Sequence, residues 1–320
     1  MEILNITNGS ATISLMEQAG VKGEKLSWDD LLHEGPVPRE LSLQALSKVR
    51  ADFIVSAGYA SDSQVQEKFS ERDKRLTGCT NYQQVVLWFE HDLYDQLQLI
   101  QLLDWFNCQP SISVDLRLIQ VDKHLGYHSP LEISLLENTS RPVDKEQLLL
   151  ASEAWRALTS DSPRDLNQFL KGSLTALPNL KAALIRLVME YPDSRNGLPF
   201  TETLILRCLQ QGPLDPGGLF RAYTAIEEAQ FMGDTTFWMR LNQMAFCEHP
   251  PIALQKISPI RVPVDAAQKI MITPYGNNAL AAKVDWFDDN QLSKWVGGCH
   301  LSPDNPWRWQ ATNGQVELKS

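Results

Sequence analysis

The segment Gln84–Glu90, with the sequence Q-V-V-L-W-F-E, decides how the N-terminal half of the chain folds. Its apolar run has the length of a β-strand and lacks polar alternation, which is typical of a strand covered on both faces of a sheet. Asp92 follows in the position of a helix N-cap, and apolar residues then recur at helical spacing as far as Phe106. A strand that leads directly into a helix predicts the repeating unit of a parallel sheet.

The same alternation of strand and helix continues on both sides of this segment. Glu2–Thr7 and Glu24–Trp28 are predicted strands before it, and Ser113–Val121 is a predicted strand after it. Ser10 is the predicted N-cap of a helix between the first two strands, and Arg39–Arg75 predicts two helices. Four strands within ~125 residues predict a small doubly wound α/β (Rossmann-like) domain, which we place at residues 1–135.

The rest of the chain predicts two further parts. Residues 136–194 have helical apolar patterns and form a predicted connector, which ends near the break at Tyr191–Gly197. Residues 195–320 predict three helices followed by two extended segments, the order of a winged-helix-like domain, and a short β tail. These helices and extended segments are Thr201–Gln210, Asp215–Ala229, Asp234–Phe246, Ile252–Ile257 and Lys269–Ile272.

Composition narrows the class of protein. The chain has 320 residues, of which 43% are hydrophobic and 21% charged. These are ordinary globular proportions, and they exclude a fully disordered chain, a collagen and a coiled-coil rod. The net charge of -10 predicts long-range repulsion from phosphate backbones, so broad electrostatic capture of nucleic acid is disfavoured.

The N-terminus and the cysteines predict a cytoplasmic protein with reduced thiols. Met1–Asn5 has neither the basic start nor the apolar core of a secretory signal, and no apolar stretch approaches the ~20 residues of a membrane span. The five cysteines are odd in number, scattered and without a C-x-x-C pair, which argues against a disulfide framework and a zinc ribbon.

Four segments together resemble a known bacterial family. They are I-T-N-G at Ile6–Gly9, W-D-D-L-L-H-E-G-P-V-P at Trp28–Pro38, L-W-F-E-H-D-L-Y-D-Q at Leu87–Gln96, and Y-P-D-S-R-N-G-L at Tyr191–Leu198. With the T-E-T-L-I-L run that follows, they resemble the domain of unknown function 1835 family and its usual small C-terminal domain. The resemblance covers most of the chain and implies a soluble bacterial protein, but no particular reaction.

The resemblance also implies which positions matter. The family pattern is matched at Glu34, Gly35, Pro36, Glu90, Asp92 and Gln96. It is not matched after Asn8-Gly9, where the family has Asp and this chain has Ser10. His33 and His91 stand where relatives are expected to vary, which weakens both as catalytic candidates.

Two turns at strand ends predict the main candidate site. Asn8, Gly9 and Ser10 follow the first strand, where backbone N–H groups and a helix N-terminus favour an anion, although a plain capped turn is the alternative. In open α/β sheets, ligands bind at the carboxyl ends of the strands where the strand order reverses. If the order is 2-1-3-4, this turn faces Glu90 and Asp92 across one crevice.

The turn after Gln84–Glu90 predicts acid–base or metal chemistry. Glu90 and Asp92 are candidates for a general base or for ligands of a hard divalent cation, and Gln96 shares a helix face with Asp92 and would orient a ligand. A divalent metal is the one cofactor that these residues suggest. The alternative is that Asp92 only caps its helix and that Glu90 pairs with a lysine or arginine.

The loop Trp28–Pro38 is the second candidate region. Trp28 would contact the ligand, and His33 and Glu34 would close over the crevice and supply acid–base chemistry. The alternative is an ordered connector, with Trp28 in the core and Glu34 bonded to backbone. The other histidines, His124 and His128 among them, are interpreted as structural, because Gly126 and Ser129-Pro130 interrupt any helical metal pair.

Three functions follow from these patterns as hypotheses. The first is an enzyme or binding protein for an anionic small molecule, phosphorylated or nucleotide-like, at the α/β crevice. The second is a ligand-sensing regulator that binds nucleic acid through the winged-helix-like domain, although Arg240 is the single arginine of its candidate reading helix. The third is a non-catalytic scaffold that forms a homodimer through C-terminal aromatic residues. No membrane partner is expected.

Overall fold

The computed structural model describes residues 2–319, which form two compact units. The first unit consists of the chain up to Leu184 together with Gly297–Cys299, and the second consists of the other described residues. The domain boundaries expected at residues 135 and 194 stay predictions. No helix within residues 2–319 combines the length and the apolar character of a membrane span.

A five-stranded, mostly parallel sheet forms the centre of the first unit. Its strands in spatial order are β2 (Glu24–Ser27), β1 (Ile3–Thr7), β3 (Gln84–Phe89), β4 (Asp115–Gln120) and β5 (Arg141–Pro142). The first four are parallel, in the order 2-1-3-4, and the short β5 pairs antiparallel with β4. The predicted α/β fold class and four of its strands are therefore confirmed, whereas β5 was not predicted.

Helices cover both faces of this sheet and complete the first unit. They are α1 (Ser10–Gln18), α2 (Leu43–Ser56), α3 (Asp62–Thr77), α4 (Leu93–Asn107), α5 (Pro130–Leu136), α6 (Lys145–Leu158) and α7 (Pro163–Phe169), with α8 (Leu180–Val188) running into the second unit. The two helices predicted within Arg39–Arg75 are present as α2 and α3. Helix α6 packs against α4, so part of the predicted connector belongs to the body of the first unit.

The start of α1 differs from the prediction. Gly9, not Ser10, is the N-cap, with extended backbone, and Ser10 is the first helical residue and is exposed. The Gly9 carbonyl accepts the first helical hydrogen bond, from Ile13 N at 3.3 Å. Gly9 also packs closely, because a Cβ there would lie 3.1 Å from Asp29 Oδ1.

The second unit contains five helices and several short strand pairs. Its helices are α9 (Phe200–Leu209), α10 (Pro216–Ile226), α11 (Asp234–Ala245), α12 (Pro274–Leu280) and α13 (Trp286–Asp289). Its strands pair antiparallel as β6 (Ile252–Leu254) with β7 (Ile270–Ile272) and β10 (Trp307–Gln310) with β11 (Gln315–Leu318), and β8 (Lys294–Val296) pairs with β9 (Cys299–Leu301). The predicted order of three helices and two extended segments is present, and Leu214 forms an isolated bridge with Ile270.

A buried ionic cluster lies inside the second unit. Its carboxylates are Glu190, Glu202 and Glu227, and its cations are Arg186, Arg240 and Lys294. Glu190 is the centre, because one of its oxygens accepts from Arg186 at 2.9 Å and the other from Arg240 and Lys294, each at 2.9 Å. Three positive groups thus face three negative ones, so the cluster is balanced in charge.

Candidate functional site

The carboxyl edge of the sheet brings together the ends of β1, β3 and β4. Asn8 follows β1, Glu90 follows β3 and His124 lies four residues beyond β4. Asn8 Nδ2 donates to Glu90 Oε1 at 3.3 Å and to Asp95 Oδ2 at 2.8 Å. Strands β1 and β3, which carry the two predicted turns, are neighbours in the sheet. The strand order reverses between them, and this is the place where open α/β sheets bind ligands.

Glu90, Asp92 and His124 form the core of the candidate site. His124 Nδ1 lies 2.5 Å from Glu90 Oε2 and 3.6 Å from Asp92 Oδ2. Each residue offers one ligand atom, and these atoms all lie within 4.8 Å of one another, which is a spacing that one metal ion can span. Both carboxylates are buried and His124 is half-buried.

Asp95 and Gln96 position the backbone of this turn. Asp95 Oδ1 accepts from Glu90 N at 2.7 Å, and Gln96 Nε2 donates to Glu90 O at 2.6 Å. Asp92 caps α4, as predicted, because its Oδ1 accepts from Asp95 N at 3.2 Å. The side chain of Gln96 is therefore already bonded to the turn, and its Oε1 has no protein partner within the described residues.

Burial and mutual repulsion shift the protonation of these groups. Burial, and then the neighbouring Glu90, raises the pKa of Asp92 from 3.8 to about 7. Burial and the charges of Asp92 and Glu90 raise the pKa of Asp95 well above its usual value. The hydrogen bond to Glu90 raises the pKa of His124. Among residues 2–319, no lysine or arginine forms an ion pair with Glu90, Asp92 or Asp95.

Asn8 holds the carboxylates in place. Both of its amide hydrogens are directed at Glu90 and Asp95, while its Oδ1 accepts from Thr12 Oγ1 at 2.9 Å and from Thr7 Oγ1 at 3.3 Å. Its side chain therefore has no N–H left for an anion. The anion role predicted for Asn8, Gly9 and Ser10 rests on the backbone of Gly9 and Ser10 and stays a prediction.

The loop Trp28–Pro38 is an ordered segment beside this edge. The structure places Trp28 in the core, where its indole N–H donates to Gln101 Oε1 at 2.7 Å and the Arg72 guanidinium lies 4.0 Å from its ring. His33 is buried with its ring 5.9 Å from that of Tyr94, and the Tyr94 hydroxyl donates to Asn8 O at 3.4 Å. His33 is thus linked to the turn at Asn8 through Tyr94.

Arg50 fixes the same loop through several side-chain contacts. Its guanidinium pairs with buried Asp30 at 2.9 Å and donates to the carbonyl oxygens of Glu34 at 2.7 Å and Leu31 at 2.7 Å. Glu34 is half-buried, and its main chain is fixed by this contact. The structure does not bring Trp28 to the carboxylate cluster.

His124 is the site residue that sequence reasoning missed. Gly126 and the following Ser129-Pro130 argue against a helical metal pair at His124 and His128, and the structure has a three-residue 3₁₀ helix, Leu125–Tyr127, between the two histidines. The signal that identifies it is position, since β4 ends at Gln120 and a parallel neighbour of β3 delivers its following loop to the same edge. The predicted site includes the turns after the first and third strands but not the loop after the fourth.

Comparison with known proteins adds no family to this description. No family model matches the chain, and no curated protein matches it. The resemblance to the domain of unknown function 1835 family stays a prediction, and the function proposed below follows from the residues themselves.

Arg240, the arginine of the candidate reading helix, and two other basic residues of the second unit form ion pairs within that unit. Arg240, on α11, is 4% exposed and binds Glu202 at 2.6 Å and Glu190 at 2.9 Å. Arg308 is fully buried, pairs with Asp288 and lies over the ring of Phe287. Lys256 pairs with Asp265. The single arginine of the candidate reading helix is therefore held inside the unit rather than presented to a phosphate.

Proposed function

We propose that the protein binds a phosphorylated, nucleotide-like small molecule together with a divalent cation at the carboxyl edge of its sheet. The observation that carries this proposal is the grouping of Glu90, Asp92 and His124, whose ligand atoms lie within 4.8 Å of one another. Their positions after β3 and β4 are where open α/β sheets bind ligands.

A bound cation would allow an anionic ligand to bind at this negatively charged site. Glu90, Asp92 and Asp95 are all buried, and a phosphate placed beside them would be repelled. A divalent ion held by Glu90, Asp92 and His124 would neutralise the carboxylates and attract the phosphate. Three protein ligands also leave positions open for water and substrate. Carboxylate oxygens suit Mg²⁺ and Mn²⁺, while the imidazole nitrogen also suits Zn²⁺.

The chain's own residues control protonation at this place. In the cation-free protein Asp92, with a pKa of about 7, holds a proton near neutral pH, and it would release that proton when a cation binds, because a carboxylate ligand must be deprotonated. Asn8 and Asp95 fix the orientation of Glu90, and the 2.5 Å contact with Glu90 orients His124. Cation binding should therefore weaken as the pH falls below about 7.

The test is cation binding by wild-type protein and by the double variant Glu90→Gln/Asp92→Asn. We expect Mn²⁺ to raise the melting temperature of wild type, because a ligand at 100 times its Kd adds ~2.7 kcal/mol of stability. A nucleoside monophosphate should give a larger shift in the presence of Mn²⁺ than in EDTA. The Mn²⁺ shift and this Mn²⁺-dependent increase should both be absent in the double variant.

The control for this experiment is Asp161→Asn, which removes an exposed carboxylate of the same unit. It should respond to Mn²⁺ as wild type does. Equal shifts in the double variant and in wild type, or no shift with Mg²⁺, Mn²⁺ or Zn²⁺, would contradict a cation site at Glu90 and Asp92.

Nucleic-acid binding by the second unit is the second candidate function. Helices α9, α10 and α11, the antiparallel pair β6–β7 and the bridge between Leu214 and Ile270 follow the element order of a winged helix, which supports this proposal. The engagement of Arg240 in the ionic cluster counts against it. Fluorescence anisotropy with duplex DNA at 50 and ~200 mM salt tests it, since phosphate contacts weaken steeply as salt rises.

A further inference from the structure

The second unit contains a pocket of about 450 Å³ that none of the functions above uses. One wall is a single face of α9 with Phe200, Thr203 and Arg207 at helical spacing, continued by the C-cap residue Gln210. The other walls come from the end of α12, from β10 at Trp309 and from the segment Asp193–Leu198. That segment belongs to the Y-P-D-S-R-N-G-L motif, which marks a predicted domain break and is one of the four segments that carry the family resemblance.

This motif is built as a rigid wall of the pocket. Ser194 N donates to Trp309 O at 3.0 Å, and Trp309 N donates to Pro192 O at 2.9 Å, so the loop is fixed beside β10. Gly197 has a φ of +69°, and a Cβ there would lie 2.1 Å from Asp285 Oδ1. Only glycine fits this turn without strain, which accounts for that residue of the motif.

Two arginine side chains line the pocket, and they differ in whether a carboxylate pairs with them. Asp193 holds Arg195 through Nε at 2.9 Å and Nη2 at 2.8 Å, while Nη1 has no protein partner within the described residues. Arg207 is exposed, and its side chain has no partner in that part of the chain. Because Asp193 balances one of the two arginines, the charged lining of the pocket carries one net positive charge.

We propose that this pocket binds a small organic anion with a planar, apolar body. Arg207 and the free edge of Arg195 would bind the acid group, since guanidinium N–H groups match carboxylate and phosphate oxygens. Trp309, Phe200 and Leu280 would contact the body of the ligand. The volume lies within the ~300–1,000 Å³ of ordinary small-molecule sites. Two classes of ligand have such an acid group on a planar body, namely aromatic carboxylates and nucleoside monophosphates.

Calorimetric titration of the full chain in the presence of EDTA tests this assignment. Indole-3-acetate and adenosine monophosphate are the charged probes, and indole-3-acetamide and adenosine are their neutral counterparts. We expect at least one charged probe to bind more tightly than its neutral counterpart. Arg207→Gln and Arg195→Gln should each weaken it ~10–100-fold, the effect of one charge-assisted hydrogen bond. The probe that binds identifies the source of the acid group.

The exposed Arg221, on α10, offers the matched control, and Arg221→Gln should bind as wild type does. Binding should also persist in Glu90→Gln/Asp92→Asn, because those residues belong to the first unit. The assignment is overturned if neither charged probe binds, or if Arg207→Gln binds as tightly as wild type. It is also overturned if the double variant abolishes binding, since the probe then occupies the carboxyl edge of the sheet.

Discussion

Replacing Glu190 by glutamine is expected to lower the free energy of unfolding by ~3–5 kcal/mol, the effect of removing one partner from a buried ion pair. Glu190 is 1% exposed, and its carboxylate bonds Arg186, Arg240 and Lys294, each at 2.9 Å. Glutamine retains the shape and one acceptor oxygen but leaves three positive groups facing two carboxylates. Urea unfolding at pH 7, followed by circular dichroism, measures the change.

The effect of Glu190→Gln should depend on pH. Burial raises the pKa of Glu190, but Lys294, Arg240 and Arg186 together lower it well below 4.5. A carboxylate with a depressed pKa stabilises the fold above its unfolded pKa, and this contribution is lost as the pH falls. The difference between wild type and variant should therefore be full at pH 7 and shrink below pH ~4.5.

Glu228→Gln is the matched control for this prediction, because Glu228 is exposed and close in sequence to Glu227 of the cluster. It should change the free energy of unfolding by less than ~0.5 kcal/mol. A loss of less than ~1 kcal/mol in Glu190→Gln would show that the cluster contributes little net stability.

Replacing Asp92 by asparagine is expected to do the opposite and stabilise the cation-free protein by ~2–4 kcal/mol at pH 8. The raised pKa of about 7 means that burial and Glu90 disfavour the charged form of Asp92. Asparagine removes this charge but keeps the oxygen that accepts from Asp95 N, so the cap of α4 is retained.

The sign of the pH dependence follows from the raised pKa. The folded protein holds the Asp92 proton up to pH ~7, whereas the unfolded chain releases it near pH 3.8, so wild-type stability falls as the pH rises between these values. The advantage of Asp92→Asn should be absent at pH 4 and full at pH 8. Urea unfolding at both pH values, with EDTA, measures it.

Added Mn²⁺ should reverse the order of stability at pH 8, because only wild type retains both proposed carboxylate ligands. Asp161→Asn again provides the control and should match wild type at every pH. If Asp92→Asn is less stable than wild type at pH 8 in EDTA, then the negative charge of Asp92 does not destabilise the fold, and the expected stabilisation is wrong.

Local sequence patterns predict the central strands and helices of the first unit. The apolar run of β3 and the cap at Asp92 identified the central strand and its helix, and the carboxyl-edge rule placed Asn8 opposite Glu90. The strand and the cap each depend on residues within a few positions of one another, whereas the placement of Asn8 opposite Glu90 depends on the strand order 2-1-3-4. The N-cap of α1 lies one residue earlier than predicted, at Gly9, which has extended backbone.

The contacts that were not predicted join residues far apart in sequence. His124 reaches Glu90 across 34 positions, and Lys294 reaches Glu190 across 104. Nothing local marks either pair, since a histidine in a loop and a lysine in a short strand are common in any soluble chain. The sequence does not decide whether Trp28 contacts a ligand or lies in the core, because its hydrogen-bond partner, Gln101, lies 73 positions away.

The two-residue strand β5 covers part of one edge of the sheet, where another extended chain could otherwise pair. An open sheet edge offers unpaired N–H and C=O groups to any extended chain that meets it. Here Arg141 and Pro142 cover part of the β4 edge, and both are exposed. Proline has no N–H to donate and arginine places a charge at the rim, so a further strand would find little to bind. A brief antiparallel segment thus protects the sheet from aggregation along that edge.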